Sequence, residues 1–248
     1  MSKIKKTAVN MLLDYVMADD PLQKLPKMFD VAEKLDRGHL HASQIAAMRK
    51  WLLDENSVWH TFARKLMDEV DRNCLRKFLE CFIVNANLGR AERVHELMEK
   101  YDCNIPWAIL MDPTSACNLH CTGCWAAQYG NKNNLSYETL DSICRQGKEL
   151  GIYFYIFSGG EPLVRKNDII KLCEAHNDCY FFAFTNGTLV DDKLCEDMQR
   201  VGNFALAFSI EGDEAATDMR RGQGTYRKVI EAMERMKAHK LIFGYSTC

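Results

Sequence analysis

The chain has 248 residues, with 32 Lys and Arg against 34 Asp and Glu, so its formal charge is −2. That near balance excludes a basic nucleic-acid footprint and an acidic solvating tail as dominant features. With 47% hydrophobic and 27% charged residues, the composition is that of a folded globular chain and not of a disordered one.

Residues 1–104 read as an all-α region. Lys3, Lys5 and Lys6 precede a short apolar patch that runs into Asp14, Asp19 and Asp20 with no small-residue cleavage pattern, so it does not read as a secretory signal. Segment 4–16 is weakly amphipathic and lysine-bearing, a pattern shared by membrane-surface helices but too weak here to predict membrane contact. Pro21 and Pro26 are expected to punctuate a loop. Ile45, Met48 and Leu52 share a helical face. Leu75, Phe78, Leu79, Phe82 and Ile83 follow the spacing of an amphipathic helix, which Asn87-Leu88-Gly89 is expected to stop through a left-handed glycine. Val94, Leu97, Met98 and Tyr101 mark another helix, and residues 102–106 read as a linker because Pro106 cannot continue it. The helical region is expected either to dock substrate or to cap the bottom or open side of the barrel-like half of the chain.

Residues 105–248 change pattern. Nearly continuous apolar runs at 107–111, 152–157, 180–184, 204–210 and 241–245 read as strands buried on both faces, as in a parallel sheet. None is long enough to cross a bilayer, so no transmembrane segment is expected. Four amphipathic helices lie between or beside them. The first has Ser136 as N-cap, with Leu140, Ile143, Cys144 and Gly147 on one face and Gly151 at its end. The second starts near Asp168 and turns Ile169, Leu172 and Cys173 inward. The third has Asp191 as cap, Leu194, Met198 and Val201 inward, and Gly202 at its end; the fourth has Thr225 as cap before Val229, Ile230, Met233 and Met236. Five strands and four helices in alternation predict right-handed βαβ units, an α/β fold forming a partial TIM-like (βα) barrel. The sequence ends inside the last strand, which leads to the expectation of a fragment, or of a sheet completed by another segment.

Chemistry in such folds sits on the loops after the strands. There the sequence places Cys117, Cys121 and Cys124, then Ser158-Gly159-Gly160-Glu161-Pro162, then Thr185-Asn186-Gly187, then Ser209-Ile210-Glu211-Gly212. The 11 cysteines are an odd number with no export signal, which argues against a disulfide framework and for a metal or redox centre. Three thiolates in a short loop can hold three corners of an iron–sulfur cube and leave one iron open. A zinc knuckle completed by His120 or a distant cysteine is the alternative, although the chain carries no second ligand pair. Cys144, Cys173 and Cys195 on apolar helix faces read as small hydrophobes.

Cys117-x3-Cys121-x2-Cys124 followed by Trp125, the Gly159-Gly160-Glu161 string, Thr185-Asn186-Gly187 and the Ser209–Glu211 region with Arg221 downstream resemble, in order, the motifs of the radical SAM family, in the branch that modifies peptides or matures cofactors. The resemblance spans about residues 107–248. It implies a 4Fe-4S cluster on Cys117, Cys121 and Cys124 that binds S-adenosylmethionine at its open iron. Reductive cleavage to a 5′-deoxyadenosyl radical and hydrogen abstraction from a substrate would follow. It further implies S-adenosylmethionine contacts from Gly159, Gly160, Glu161, Asn186, Ser209, Glu211 and Arg221, with Ser246 and Thr247 near adenine. The implied partners are a small-molecule or peptide substrate, a cofactor precursor among them, and an external low-potential electron donor such as flavodoxin or ferredoxin, with no nucleic acid. The oxygen sensitivity of such a cluster implies a reducing cytoplasm. The rival functions are a non-catalytic iron–sulfur electron carrier and a zinc-stabilised interaction module.

Overall fold

The computed structural model describes residues 21–36, 42–130 and 132–247, together with 11, 13–15 and 17. Segment 4–16 lies largely outside the described residues, and Cys248 wholly so.

The strands are β1 (Ala108–Met111), β2 (Phe154–Phe157), β3 (Tyr180–Thr185), β4 (Phe204–Ile210) and β5 (Phe243–Thr247). They form one parallel open sheet in the order β1-β2-β3-β4-β5. No charged residue falls within any of them, but the burial on both faces expected of all five holds only for most of β2, β3 and β4, since Leu110 of β1, Phe184 of β3 and Tyr245 of β5 are exposed. The covering helices are α6 (Tyr137–Glu149), α7 (Lys166–Ala175), α8 (Asp192–Val201), α9 (Glu214–Arg221) and α10 (Thr225–Ala238). Tyr155, Phe157, Phe181, Leu206 and Phe208 meet Leu140, Leu172, Leu194, Met198, Val229 and Met236 in the main core. Each fully buried apolar side chain of this size contributes about 1.5–3 kcal/mol.

The expected caps are present on α6 and α8. Ser136 accepts from the Thr139 amide at 3.1 Å and Asp191 from the Leu194 amide at 2.8 Å, and Gly202 ends α8 at φ 74°. Two expectations in this half need correction. Helix α9 was not among the four helices expected, because its burial is polar: Thr217 and Asp218 are buried while Met219 is exposed. The N-cap of α10 is Gly224, not Thr225, and Asp218 of α9 reaches across to accept from the Gly224 and Tyr226 amides at 2.7 and 2.8 Å.

The N-terminal region is helical: α1 (Pro21–Leu35), α2 (Ala42–Leu53), α3 (Val58–Glu69), α4 (Arg72–Lys77), a π-helical segment (Phe78–Leu88) and α5 (Ala91–Tyr101). Pro21 and Pro26, expected in a loop, lie in α1. Pro21 is the first helical residue, where a missing N–H loses nothing, and Pro26 sits in a helix that buries Leu25 and Phe29 against Ile45. The helix expected around Leu75–Ile83 breaks at Phe78 into wider π turns, so that Cys81 and Ala86, five residues apart, are both fully buried. Gly89 ends that segment at φ −77°, in right-handed conformation, with its amide on the Val84 carbonyl at 2.6 Å. The stop is therefore a π-type bond and not a left-handed turn.

This π segment lies on the sheet face opposite α6–α10. Phe82 meets Phe154 edge-on at 5.1 Å and Phe78 meets Tyr180 at 5.6 Å, beside Ala205 and Phe182. Polar ties fix it: Lys77 Nζ donates to the Asn177 carbonyl at 2.8 Å and Asn85 Nδ2 to the Asp178 carbonyl at 2.9 Å. The contacts fall at the N-terminal ends of β2 and β3, so the helical region closes the base of the sheet and leaves the opposite rim to the loops.

Gly147 lies on the buried face of α6 because Tyr155 occupies the space of a side chain there. The Tyr155 hydroxyl donates toward the Cys144 and Ile152 carbonyls, both at 3.0 Å. Gly147→Ala is expected to lower stability by about 1–3 kcal/mol despite alanine's better helix propensity. In a Tyr155→Phe background the added cost should shrink, and equal costs in a urea-unfolding double-mutant cycle would refute the contact. His176 is buried and its Nε2 lies 2.9 Å from Asp141. Burial lowers its pKa, with Asp141 opposing. The folded chain thus resists protonating a group that the unfolded chain protonates below its ordinary 6.5. Its contribution is complete above that value and is lost as pH falls. The urea midpoint should drop from about pH 7.5 to about pH 5.5, and should drop less in His176→Gln.

Candidate functional site

The loops leaving β1, β2 and β3 and the segment after β4 meet at one rim, and named hydrogen bonds join them. The Gly160 amide donates to the Thr114 carbonyl at 3.0 Å and the Glu161 amide to the Ala116 carbonyl at 2.8 Å, tying the β2 loop to the β1 loop. Asn186 Nδ2 donates to Asn118 Oδ1 at 2.9 Å, tying the β3 loop to the cysteine segment. The Thr122 amide donates to the Arg220 carbonyl at 2.8 Å, tying that segment to the end of α9.

Glu161 lies at the centre of the rim and is 1% exposed. Its carboxylate accepts from the Thr185 hydroxyl at 2.7 Å, the Asn186 amide at 2.7 Å and the Leu163 amide at 3.0 Å. Burial raises its pKa, and these donors and Arg221 pull it back down. The side chain is therefore committed to bracing the β2 and β3 loops. A Cβ on Gly159, at φ 102°, would lie 2.7 Å from the Thr114 carbonyl, and one on Gly160 would run into the Ala116 carbonyl. The two glycines let the cysteine loop's leading strand press against the β2 loop. Both also line a cleft of about 490 Å³ shared with Asp112, Ser115, Trp125 and Tyr129. The Trp125 and Tyr129 rings meet edge-on at 6.0 Å and are largely exposed.

Cys117, Cys121 and Cys124 are half-buried free thiols. Burial raises the pKa of Cys117 and Cys121. Cys124 raises both further, whereas the Leu119 amide lowers Cys117, and Arg221 and Arg220 lower Cys121. The three sulfurs thus stand within one another's electrostatic reach. Asn186 Nδ2 also points at Cys117 Sγ, at 3.9 Å. Among the described residues no three His, Cys, Asp or Glu side chains are grouped around a single metal ion, and His120 is exposed. Three soft donors with no carboxylate among them fit an iron–sulfur cluster in donor chemistry.

Glu211 and Arg221 belong to each other. Glu211 Oε1 accepts from Arg221 Nε and Nη2 at 2.9 and 2.6 Å and from Arg220 Nη1 at 2.7 Å. Burial raises the Glu211 pKa, but the two guanidiniums bring it below the ordinary carboxylate value. Ser209 is aligned with Ser246, and Ile210 with Thr247, at the ends of β4 and β5, away from the Glu161 brace. Cys144 and Cys195 are buried in the core, where burial pushes their thiols up to about 12 and about 11. Asn118, Thr122 and Arg220 escaped the sequence reading as site residues. The signal available for Arg220 was the Asp213 cap and the Gly222 stop, which enclose a helix too polar for apolar periodicity to register.

A sequence profile described as the Radical SAM superfamily matches residues 111–247, more than half of the chain. An uncharacterized protein of Methanocaldococcus jannaschii is 27% identical over 152 residues, covering 56% of this chain and 51% of that protein. An AdoMet-dependent heme synthase of Methanosarcina barkeri is 28% identical over 150 residues, covering 58% of this chain and 43% of that protein. The chain thus spans about half, or less, of the length of these curated relatives. The solved structure of Streptococcus suis SuiB bound to precursor peptide SuiA matches with a TM-score of 0.54 at 19% identity, covering 64% of this chain and 36% of that one, a likeness of fold. The profile match from the end of β1 through β5, rim loops included, settles the family: this chain belongs to the radical SAM superfamily.

Proposed function

We propose that residues 105–248 are a partial radical SAM core whose Cys117, Cys121 and Cys124 hold a 4Fe-4S cluster, and that residues 1–104 close its base. The observation that carries this reading is one loop with three half-buried thiols, hydrogen-bonded to the Gly160–Glu161 turn and to the β3 loop at one rim, inside the family-matched segment. When bound, the cluster supplies the electron that cleaves S-adenosylmethionine to methionine and a 5′-deoxyadenosyl radical, which abstracts hydrogen from the substrate. The chain's own contribution is placement. Gly159 and Gly160 offer backbone to the methionine moiety, and Trp125 and Tyr129 wall the cleft beside it. Asn186, held by Glu161, orients the Cys117 end of the loop. Ser209 and Ser246, aligned at the ends of β4 and β5, and Thr247 beside them are the proposed contacts to S-adenosylmethionine from that side. The engaged fork of Arg221 makes it a neighbour of the ligand carboxylate only if Glu211 shares it.

The substrate class we assign is a cofactor precursor or a peptide, with the likeness to the heme synthase favouring the former. Flavodoxin or ferredoxin is the proposed electron donor, in a reducing cytoplasm. Among the described residues no helix is long and apolar enough to cross a membrane.

Anaerobic reconstitution is expected to load about four irons per chain. With dithionite and S-adenosylmethionine, 5′-deoxyadenosine should then appear, and Cys121→Ala should abolish both results. Colourless protein carrying one zinc would favour the interaction module. Iron without 5′-deoxyadenosine, in this chain and in a longer parent, would favour the electron carrier. Glu161→Gln places an amide NH2 against groups that are themselves donors, and should cost about 1–3 kcal/mol in urea unfolding of the apo chain. An unchanged midpoint would refute the bracing role.

A further inference from the structure

Helix α9 buries little apolar surface, yet every part of it is pinned. Asp213 caps it through the Ala216 amide at 2.8 Å. The Thr217 hydroxyl accepts from the Glu211 amide at 3.1 Å, fixing the helix to the end of β4. Asp218 caps α10. What this anchoring delivers is the position of Arg220 and Arg221. The Arg220 carbonyl receives the Thr122 amide at 2.8 Å, and Arg220 Nε donates back to the Thr122 carbonyl at 3.4 Å. Thr122 stands between Cys121 and Cys124. Behind this pair, one Glu211 oxygen holds both guanidiniums, with the Glu211 and Arg221 side chains 8% and 12% exposed. An ion triad of this kind, partly buried with the Arg220 side chain 33% exposed, is a weak source of stability, because desolvation offsets attraction. Its effect is to select one geometry.

We propose that the Arg220–Glu211–Arg221 cluster is a clamp that holds the Cys121–Cys124 half of the loop in its ligand-ready form before any metal arrives, with Arg220 and Glu211 as positioning residues. This rests on the proposed cluster site for its purpose, but its test does not require a cluster. Hydrogen exchange is read by mass spectrometry on the apo chain, in peptides spanning residues 117–125. Glu211→Ala and Arg220→Ala should each speed exchange there about tenfold, while β4 and α10 stay protected. Arg220→Lys, which keeps the charge toward Glu211, should restore part of the protection, as a purely steric role for the side chain would not. Should either alanine variant unfold, Glu211→Gln, which keeps size and an acceptor oxygen, should show the same local acceleration in a folded chain. Exchange equal to wild type at 117–125 in the folded variants overturns the clamp. Loss of iron binding in wild-type protein with the clamp's exchange pattern intact would count against the cluster reading alone.

Discussion

A carboxylate withdrawn from water needs its acceptor sites filled, and Glu161 fills them with donors from its own loop and from the β3 loop. Because the Glu161 amide is simultaneously bound to the Ala116 carbonyl, one residue joins the exits of β1, β2 and β3. The geometry of the rim follows from that junction. Gly159 and Gly160 lack side chains because the β1 loop must come close enough for the junction to close. Asn186 is aimed at the cysteine segment because its backbone is held by Glu161. In this structure the Glu161 side chain joins the loops on which the neighbouring glycines are presented.

The sheet also separates its two faces by partner. The face toward α6–α10 is filled with large side chains and forms the main core. The other carries Phe154 and Tyr180 at its base, where the π segment seals it, and Ala205 and Ala207 toward β5. A hydrogen-abstracting site gains from excluding water and competing donors. The π segment seals the base of that face, and the loops that carry the cysteines and glycines stand at the opposite rim.

Strand positions, the caps on α6 and α8, and the loops that carry cysteines and glycines were legible because each rests on a local rule: apolar continuity, a capping side chain, a residue type with one dominant use. What was illegible depended on partners distant in sequence. Helix α9 hides because its buried residues, Thr217 and Asp218, are polar and are satisfied by Glu211 and by α10. The π turns at Phe78–Leu88 hide because the sheet, not the segment's own periodicity, decides which side chains are buried. Pro26 suggests a loop until the burial of Leu25 and Phe29 is weighed against one lost hydrogen bond. Arg221 and Glu211 were each read as contacts to S-adenosylmethionine, and a sequence cannot show that they also reach for one another.

The cysteine segment is gripped at both ends by residues that are not themselves sulfur ligands. Asn186 and Asn118 hold the Cys117 side, with Asn118 passing the contact to Thr188 at 2.7 Å, and Arg220 holds the Cys121–Cys124 side. The first grip descends from the Glu161 junction and the second from the Glu211 ion triad, so two carboxylates engaged by protein donors govern the two halves of the cysteine loop. A short loop free of regular structure loses much conformational entropy when it takes up a rigid ligand. Fixing it beforehand moves that cost into folding, where the main core of the sheet can offset it, and Cys117 Sγ shares in the fixing by accepting from the Leu119 amide at 3.5 Å.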